Sequence, residues 1–172
     1  RLGLDERREK EAKLETRVCC VVTPRNEGTG WLVGPDLVLT NYHVVKDMLG
    51  DNPTVRPEHV SCRFDYKAVN KGTEFRLRSE GAVVDWSPYH TTDLRDSEDV
   101  PPADHLDFAL LRLAEKAGQM PIGGKAEAGA PLRGWISLRD ALKKPEPDAR
   151  IVEDKMQLYV LQHPFGEPLK GE

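Results

Sequence analysis

The sequence predicts an all-β fold made of many short strands, and three observations support this. Turn residues recur every ~8–12 residues between short apolar runs, a spacing typical of all-β barrels and sandwiches. The apolar runs are rich in β-branched residues, as in RVCCVVT at residues 17–23. The chain also has 14 glycines and 13 prolines among its 172 residues, above the usual combined share of about 12%.

The N-terminal segment and one short later segment are the predicted helical parts. Residues 3–17 are rich in helix formers and in alternating charge but carry few large apolar side chains, which predicts a solvated helical lead-in. Tyr42–Leu49 predicts one helical turn, which Gly50 ends.

The predicted strands of the first half share apolar or alternating character and are bounded by turn residues. They are Arg17–Thr23, Trp31–Val33, Leu37–Thr40, Val60–Tyr66, Glu74–Leu77, Ala82–Trp86 and Asp107–Leu113. Pro24–Gly30 predicts a turn because it contains Gly28 and Gly30, and Gly34-Pro35-Asp36 predicts a hairpin turn.

Longer loops and two further strands complete the prediction. Ser87–His105 is a long polar loop whose acidic part, residues 93–104, favours a solvated loop over a calcium site or a surface for a basic partner. Gly118–Leu132 is a glycine-rich connector. Trp135–Leu138 and Gln157–Gln162 predict strands.

Composition excludes several functional classes. With 25 Lys and Arg against 29 Asp and Glu, the net charge of −4 disfavours a nucleic-acid binder that works by neutralising phosphates. No run of about 18 apolar residues is present to span a membrane, and the charged first residues do not resemble a secretory signal. Three cysteines (Cys19, Cys20 and Cys62) make a poor disulfide framework, so we expect buried, reduced thiols in a cytoplasmic protein.

His43 is the first candidate for chemistry. The segment GTGWLVGPDLVLTNYHVV, residues 28–45, predicts two strands that lead directly to His43 at the start of a helical turn. A histidine held on a rigid edge can exchange protons at neutral pH as a general base. The residues alone favour the simpler role of a histidine that only makes hydrogen bonds at a strand end.

Asp107 is the second candidate, because it opens the otherwise apolar strand in HLDFALLRL at residues 105–113. A carboxylate there needs a hydrogen-bonding or cationic partner to offset its desolvation. A backbone cap or a histidine would serve, and an Asp that accepts from a histidine Nδ1–H is the orienting half of a nucleophilic triad.

These motifs together resemble a known family. GTGWLVGPDLVLTNYHVV resembles the segment around the catalytic histidine of trypsin-like serine peptidases, especially their bacterial glutamyl-endopeptidase-like and HtrA-like branches. DFALLRL is similar to the catalytic-Asp strand, and LYVLQHPFGEPLK at residues 158–170 is similar to a second-barrel segment of cytoplasmic bacterial members. The resemblance implies a double β-barrel with His43 as general base and Asp107 as its orienting partner. It leaves open whether His163, in the QHP motif, serves the turn or a substrate pocket.

The resemblance also implies a domain division. Residues 1–16 are expected to form the charged lead-in, 17–117 a complete first barrel, 118–134 the connector, and 135–172 the start of a second barrel.

The family pattern lacks one part here, the nucleophile. None of the five serines (Ser61, Ser79, Ser87, Ser97 and Ser137) lies in a Gly-x-Ser-Gly context. We therefore expect the serine and the oxyanion hole in a downstream segment or a separate chain. The first residue is Arg1 rather than Met, which favours a longer parent protein.

The resulting prediction is the N-terminal part of a regulated intracellular bacterial serine endopeptidase. The resemblance implies a defence-type effector with a protein substrate, a sensor or interaction domain on its N-terminal side, and no need for a metal or organic cofactor. The alternative is a catalytically inactive binding module of the same fold, and a metal-dependent hydrolase is a more distant one.

Overall fold

The computed structural model describes residues 4–90, 100, 102–124, 129–141 and 160–171. These residues form a mostly β structure with few helices, which confirms the predicted fold class. The helices and strands are α1 Leu4–Glu15, β1 Val18–Val22, β2 Glu27–Leu32, β3 Leu37–Thr40, α2 Tyr42–Val45, β4 Ser61–Phe64, β5 Thr73–Arg76, β6 Val83–Ser87, β7 Phe108–Arg112, α3 Leu138–Ala141, β8 Leu161–Gln162 and β9 Lys170–Gly171.

Strands β1 to β7 form one antiparallel sheet in the order β5-β4-β1-β2-β3-β7-β6. The sheet curls, because Leu77 just after β5 bridges Leu113 just after β7. Beside this bridge the Arg78 amide donates to the Arg112 carbonyl at 3.1 Å. The curl brings β5, at one end of the strand order, to β7, the strand next to the other end, and encloses one apolar core, as expected for a barrel of the predicted type.

The core is filled by inward-facing apolar side chains from every long strand. Each large aliphatic side chain that is fully buried contributes roughly 1.5–3 kcal/mol relative to exposure. The side chains least exposed to solvent include Val21, Leu32, Val38, Val60, Phe64, Leu111 and Leu113. Cys19, Cys20 and Cys62 are also buried and unpaired, as predicted.

The turn predicted at Pro24–Gly30 is wrong in its second half, because β2 begins at Glu27. Gly28 and Gly30 lie inside the strand, paired with Val21 and Cys19 of β1. A methyl group on Gly30 would lie 2.7 Å from a Val21 methyl and 2.8 Å from a Val38 methyl. Glycine is therefore required at this position for close packing rather than for a turn.

The segments after the sheet differ partly from the prediction. The strand predicted at Trp135–Leu138 is wrong: residues 135–137 are irregular and Leu138 begins α3. Of the strand predicted at Gln157–Gln162, residues 157–159 lie outside the described part of the chain. Its last two residues form β8, which pairs with β9 as a small separate hairpin.

A buried ion pair fastens the connector and α1 to the sheet. The side chain of Arg133 is fully buried and forms two hydrogen bonds to the Asp65 carboxylate, at 2.9 and 2.8 Å. It also donates to the Thr16 carbonyl at 2.7 Å, just beyond α1, and its guanidinium lies 4.7 Å from the Phe64 ring centre. One side chain thus joins three separate parts of the chain.

Candidate active site

His43 lies at the second residue of α2, immediately after β3 ends. Asn41 is extended, with φ −77° and ψ 145°, and the helix begins at the next residue. Val44 and Val45 are buried in the core and anchor this short helix. The His43 side chain is consequently turned outward and is 56% exposed. His43 therefore lies at the end of a strand with its ring accessible to solvent, and its role as a general base stays a prediction.

Asp107 immediately precedes β7, and sheet pairing carries it to His43. β7 pairs antiparallel with β3, and Ala109 lies opposite Thr40. Because the start of β7 therefore lies beside the end of β3, two residues 64 positions apart meet. Asp107 has φ +46°, a left-handed conformation that is uncommon outside glycine and tolerated best by Asp and Asn.

The two side chains are joined directly. His43 Nδ1 lies 2.7 Å from Asp107 Oδ2, and the His43 backbone amide donates to Asp107 Oδ1 at 3.0 Å. A carboxylate can only accept, so Nδ1 carries the proton of this bond. In the neutral ring Nε2 is then left as an acceptor, which is the tautomer that a general base requires.

Asn41 is a residue of this site that the sequence analysis missed. Its Nδ2 donates to Asp107 Oδ2 at 3.1 Å and to the Asp107 carbonyl at 3.2 Å. Asparagine before a helix normally caps the helix, but the Asn41 side chain makes no capping hydrogen bond. Only this unused capping position in TNYH could have drawn attention to it.

A cleft of about 340 Å³ contains the His43 ring. β2 and α2 form one wall, and β8 with the 163–166 turn forms the other. Its lining residues are Glu27, Gly28, Thr29, Trp31, Asn41, His43, Val44, Val160, Leu161, Gln162, His163 and Phe165. The third motif of the sequence analysis is therefore brought to the same cleft as the first.

His163 lines this cleft, but its backbone amide and its ring Nδ1 are both used in hydrogen bonds within the protein. Its amide donates to Thr29 Oγ1 at 2.9 Å, and its Nδ1 donates to the Glu167 carbonyl at 2.9 Å. Its ring stacks on Tyr66, with the ring centres 5.7 Å apart. Burial lowers the pKa of His163, although the bond to Glu167 acts in the opposite direction. The ring is accordingly held neutral.

The remaining candidates do not assemble into a second site. Within the described ranges, no three His, Cys, Asp or Glu side chains are grouped as a metal site would require. His90 packs edge-on against His105, which hydrogen-bonds Asp104 at 3.0 Å. Residues 93–99 and 101 of the acidic segment lie outside the described residues. No helix in the described part of the chain has the length and apolar character to cross a membrane.

Burial also makes two of the cysteine thiols unreactive. It raises the pKa of the Cys20 thiol to about 11 and raises that of Cys19 as well. Both are therefore protonated at neutral pH, and a protonated thiol is a poor nucleophile.

None of the described residues that line the His43 cleft is a serine. Ser61 and Ser87 are buried, and Ser87 Oγ donates to the Asp104 carbonyl at 2.6 Å and accepts from the Leu106 amide at 2.8 Å. Ser97 lies outside the described residues.

Comparison with known proteins agrees with the motifs. Residues 28–171 match the family model of the trypsin-like peptidase domain. No curated protein is significantly similar in sequence. Among solved structures, the chain is similar to the crystal structure of an inactive serine-to-alanine mutant of Rv3671c from M. tuberculosis H37Rv, with 21% identity and a TM-score of 0.34. That alignment covers 67% of this chain and 40% of the solved chain. Because the family match extends over most of the sequence, the chain belongs to the trypsin-like peptidase domain family.

Proposed function

We propose that this chain supplies the general base and its orienting carboxylate to a serine endopeptidase. His43 takes the proton from a serine hydroxyl through Nε2 while the serine oxygen attacks the scissile carbonyl. Asp107 holds the ring through Nδ1 and stabilises the imidazolium that forms. The observation that carries the proposal is the 2.7 Å contact between His43 Nδ1 and Asp107 Oδ2, at the edge of an open cleft.

The nucleophile and the oxyanion donors are proposed to come from residues outside this chain. Support comes from the five serines, none of which has the expected glycine context. In addition, no serine is among the described residues that line the His43 cleft. Residues 17–117 are proposed as the first barrel, 118–134 as the connector, and 135–172 as the start of the second barrel. The cleft then lies where the two barrels meet.

The wider setting is proposed from the resemblance of the motifs. Cytoplasmic bacterial peptidases with a similar QHP segment act as effector modules of multidomain proteins, including defence systems. We propose the same setting here, with a protein substrate and a sensor or interaction domain on the N-terminal side of α1.

Labelling with a fluorophosphonate probe tests the catalytic proposal on the full-length protein. The probe reacts with serines that a neighbouring base activates, so the wild type is expected to label. His43→Ala should reduce labelling by at least about 10³-fold, which is the scale of losing a triad member. His59→Ala is the matched control, because His59 is exposed on a turn away from the cleft.

Two results would overturn the proposal. If the His43→Ala variant labels as strongly as the wild type, His43 does not act as the general base. If the full-length wild-type protein does not label at all, the protein is instead a catalytically inactive binding module of this fold.

A further inference from the structure

Glu27 places a carboxylate in the cleft that contains His43. It is the first residue of β2, opposite Val22 of β1, and its side chain lies against Gly166. A side chain at residue 166 would collide with Glu27 Oε2, so glycine with φ +70° leaves room for the carboxylate. Glu27 is an exposed residue whose carboxylate lies over Gly166, between β2 and the 163–166 turn.

The Glu27 carboxylate has no ion pair or side-chain hydrogen bond within the part of the chain that the structure describes. Its neighbour Arg25 pairs instead with Asp47, at 3.5 Å. Among the lining residues of the cleft, Glu27 is the only carboxylate, and the only other titratable groups are His43 and His163. The cleft therefore offers one unpaired negative charge to a ligand.

Phe165 supplies an apolar surface next to that charge. Its side chain is 97% exposed, and its backbone has φ +51°, a conformation that non-glycine residues rarely adopt. The ring borders both the His43 cleft and an adjoining hollow of about 420 Å³ formed by residues 23–27. Because the ring is almost fully exposed, it contributes little to the packing of the described residues and is accessible to a ligand in the cleft.

We propose that Glu27 and Phe165 form a subsite for a basic side chain of the peptide substrate, with arginine preferred. The planar guanidinium and its aliphatic stem would lie on the Phe165 ring, and the charged end would pair with Glu27. Arginine suits both contacts better than lysine because it stacks on rings and binds carboxylates through two N–H groups. The subsite rests on the proposed function in one respect: the peptidase proposal is what makes its ligand a peptide substrate.

A binding measurement tests the subsite without requiring catalysis. The peptides acetyl-Ala-Arg-Ala-amide and acetyl-Ala-citrulline-Ala-amide have nearly the same shape and differ in charge. Titration of each into the full-length protein, followed by the backbone amides of Glu27 and Gly166, should show the arginine peptide binding at least about tenfold more tightly. Glu27→Gln should abolish that difference, and Phe165→Ser should weaken binding of the arginine peptide severalfold.

The control is Glu115→Gln, which removes an equal charge from an exposed side chain outside the cleft and should keep the arginine preference. Equal binding of both peptides, no binding of either, or an arginine preference that survives Glu27→Gln would each overturn the subsite.

A cleavage measurement separates failure of the subsite from failure of the proposed function. Wild-type full-length protein acting on a peptide library should cut sequences enriched in Arg or Lys at one position. Glu27→Lys should reverse that enrichment toward Asp or Glu. Cleavage with no basic enrichment, or enrichment unchanged in Glu27→Lys, would overturn the subsite and leave the peptidase proposal standing. If no peptide is cut, the peptidase proposal fails and the binding result alone decides the subsite.

Discussion

The carboxylate of Asp107 accepts three hydrogen bonds from two residues of one short segment. The His43 amide contacts Oδ1, while His43 Nδ1 and Asn41 Nδ2 both contact Oδ2. The side chain of Asp107 is only 21% exposed, so these bonds replace most of the water that an ionised carboxylate needs. They also stabilise the left-handed backbone at residue 107, since Asn41 binds its carbonyl as well.

If the full-length protein is the proposed peptidase, Asn41→Ala is predicted to reduce its turnover by about tenfold, because one donor that orients Asp107 is lost. The unfolding free energy should fall by only about 1 kcal/mol, since the side chain does not cap α2. Steady-state kinetics and urea unfolding measure the two effects. Asn52→Ala, at an exposed bend, is the control and should change neither. A stability loss with unchanged turnover would make Asn41 a structural residue only.

At the scale of elements, the segment 160–171 is attached to the barrel mainly through His163. Its backbone binds Thr29 of β2, its ring stacks on Tyr66, and the Leu169 amide donates to the Tyr66 carbonyl at 2.8 Å. Because burial lowers the pKa of His163, the folded protein binds a proton there less readily than the unfolded chain, whose histidine has the ordinary pKa of 6.5.

Acid is therefore predicted to loosen this segment. Above about pH 6.5 the neutral ring contributes its full stability. As the pH falls below that value, the unfolded state takes up more protons than the folded state, and stability is lost until the lower folded pKa is passed. The protection factors of the Leu161 and Gly171 amides, which correct for the pH dependence of the intrinsic exchange rate, should fall in this range. His163→Gln, which keeps polar groups but does not titrate, should flatten the dependence; an unchanged profile would contradict it.

At the scale of the whole molecule, the Arg133–Asp65 pair connects α1, the sheet and the connector. Burial of Asp65 opposes its ionisation, but the hydrogen bonds and charge of Arg133 outweigh this, so the pKa of Asp65 lies below its ordinary value. Arg133 Nε has no hydrogen-bond partner within the described part of the chain, and the nearby Phe64 and Phe75 rings are its neighbours instead.

Arg133→Met is predicted to lower the unfolding free energy by about 3–5 kcal/mol, because it removes the cation that is hydrogen-bonded to the Asp65 carboxylate. Adding Asp65→Asn should recover part of that loss, since the second change removes the unpaired charge and Asn tolerates the left-handed backbone at residue 65. Urea denaturation of the four proteins in this cycle measures the coupling. Strictly additive losses would show that the pair does not act as a unit.

Local pattern by itself predicted most strands of the sheet and the helical lead-in, and it made His43 and Asp107 candidates whose roles the family resemblance then supplied. The runs around Val21, Val38 and Leu111 alternate or are apolar throughout, and such periodicity depends only on neighbouring residues. The motifs around His43 and Asp107 were likewise contained in continuous segments.

Tertiary structure alone decided the features that depend on residues far apart in the chain. β2 extends through Gly28 and Gly30 because β1 pairs with them. The sequence alone predicted a turn there, because glycines are typical of turns. Where a strand was expected at Trp135–Leu138, the structure has an irregular segment followed by the start of α3. Asn41 turned from its capping position to Asp107, and Glu27 came to lie beside Phe165, because strand pairing and the 163–166 turn bring distant residues together. Side-chain contacts of that kind leave no periodic signal in a sequence, which is why only the fold revealed them.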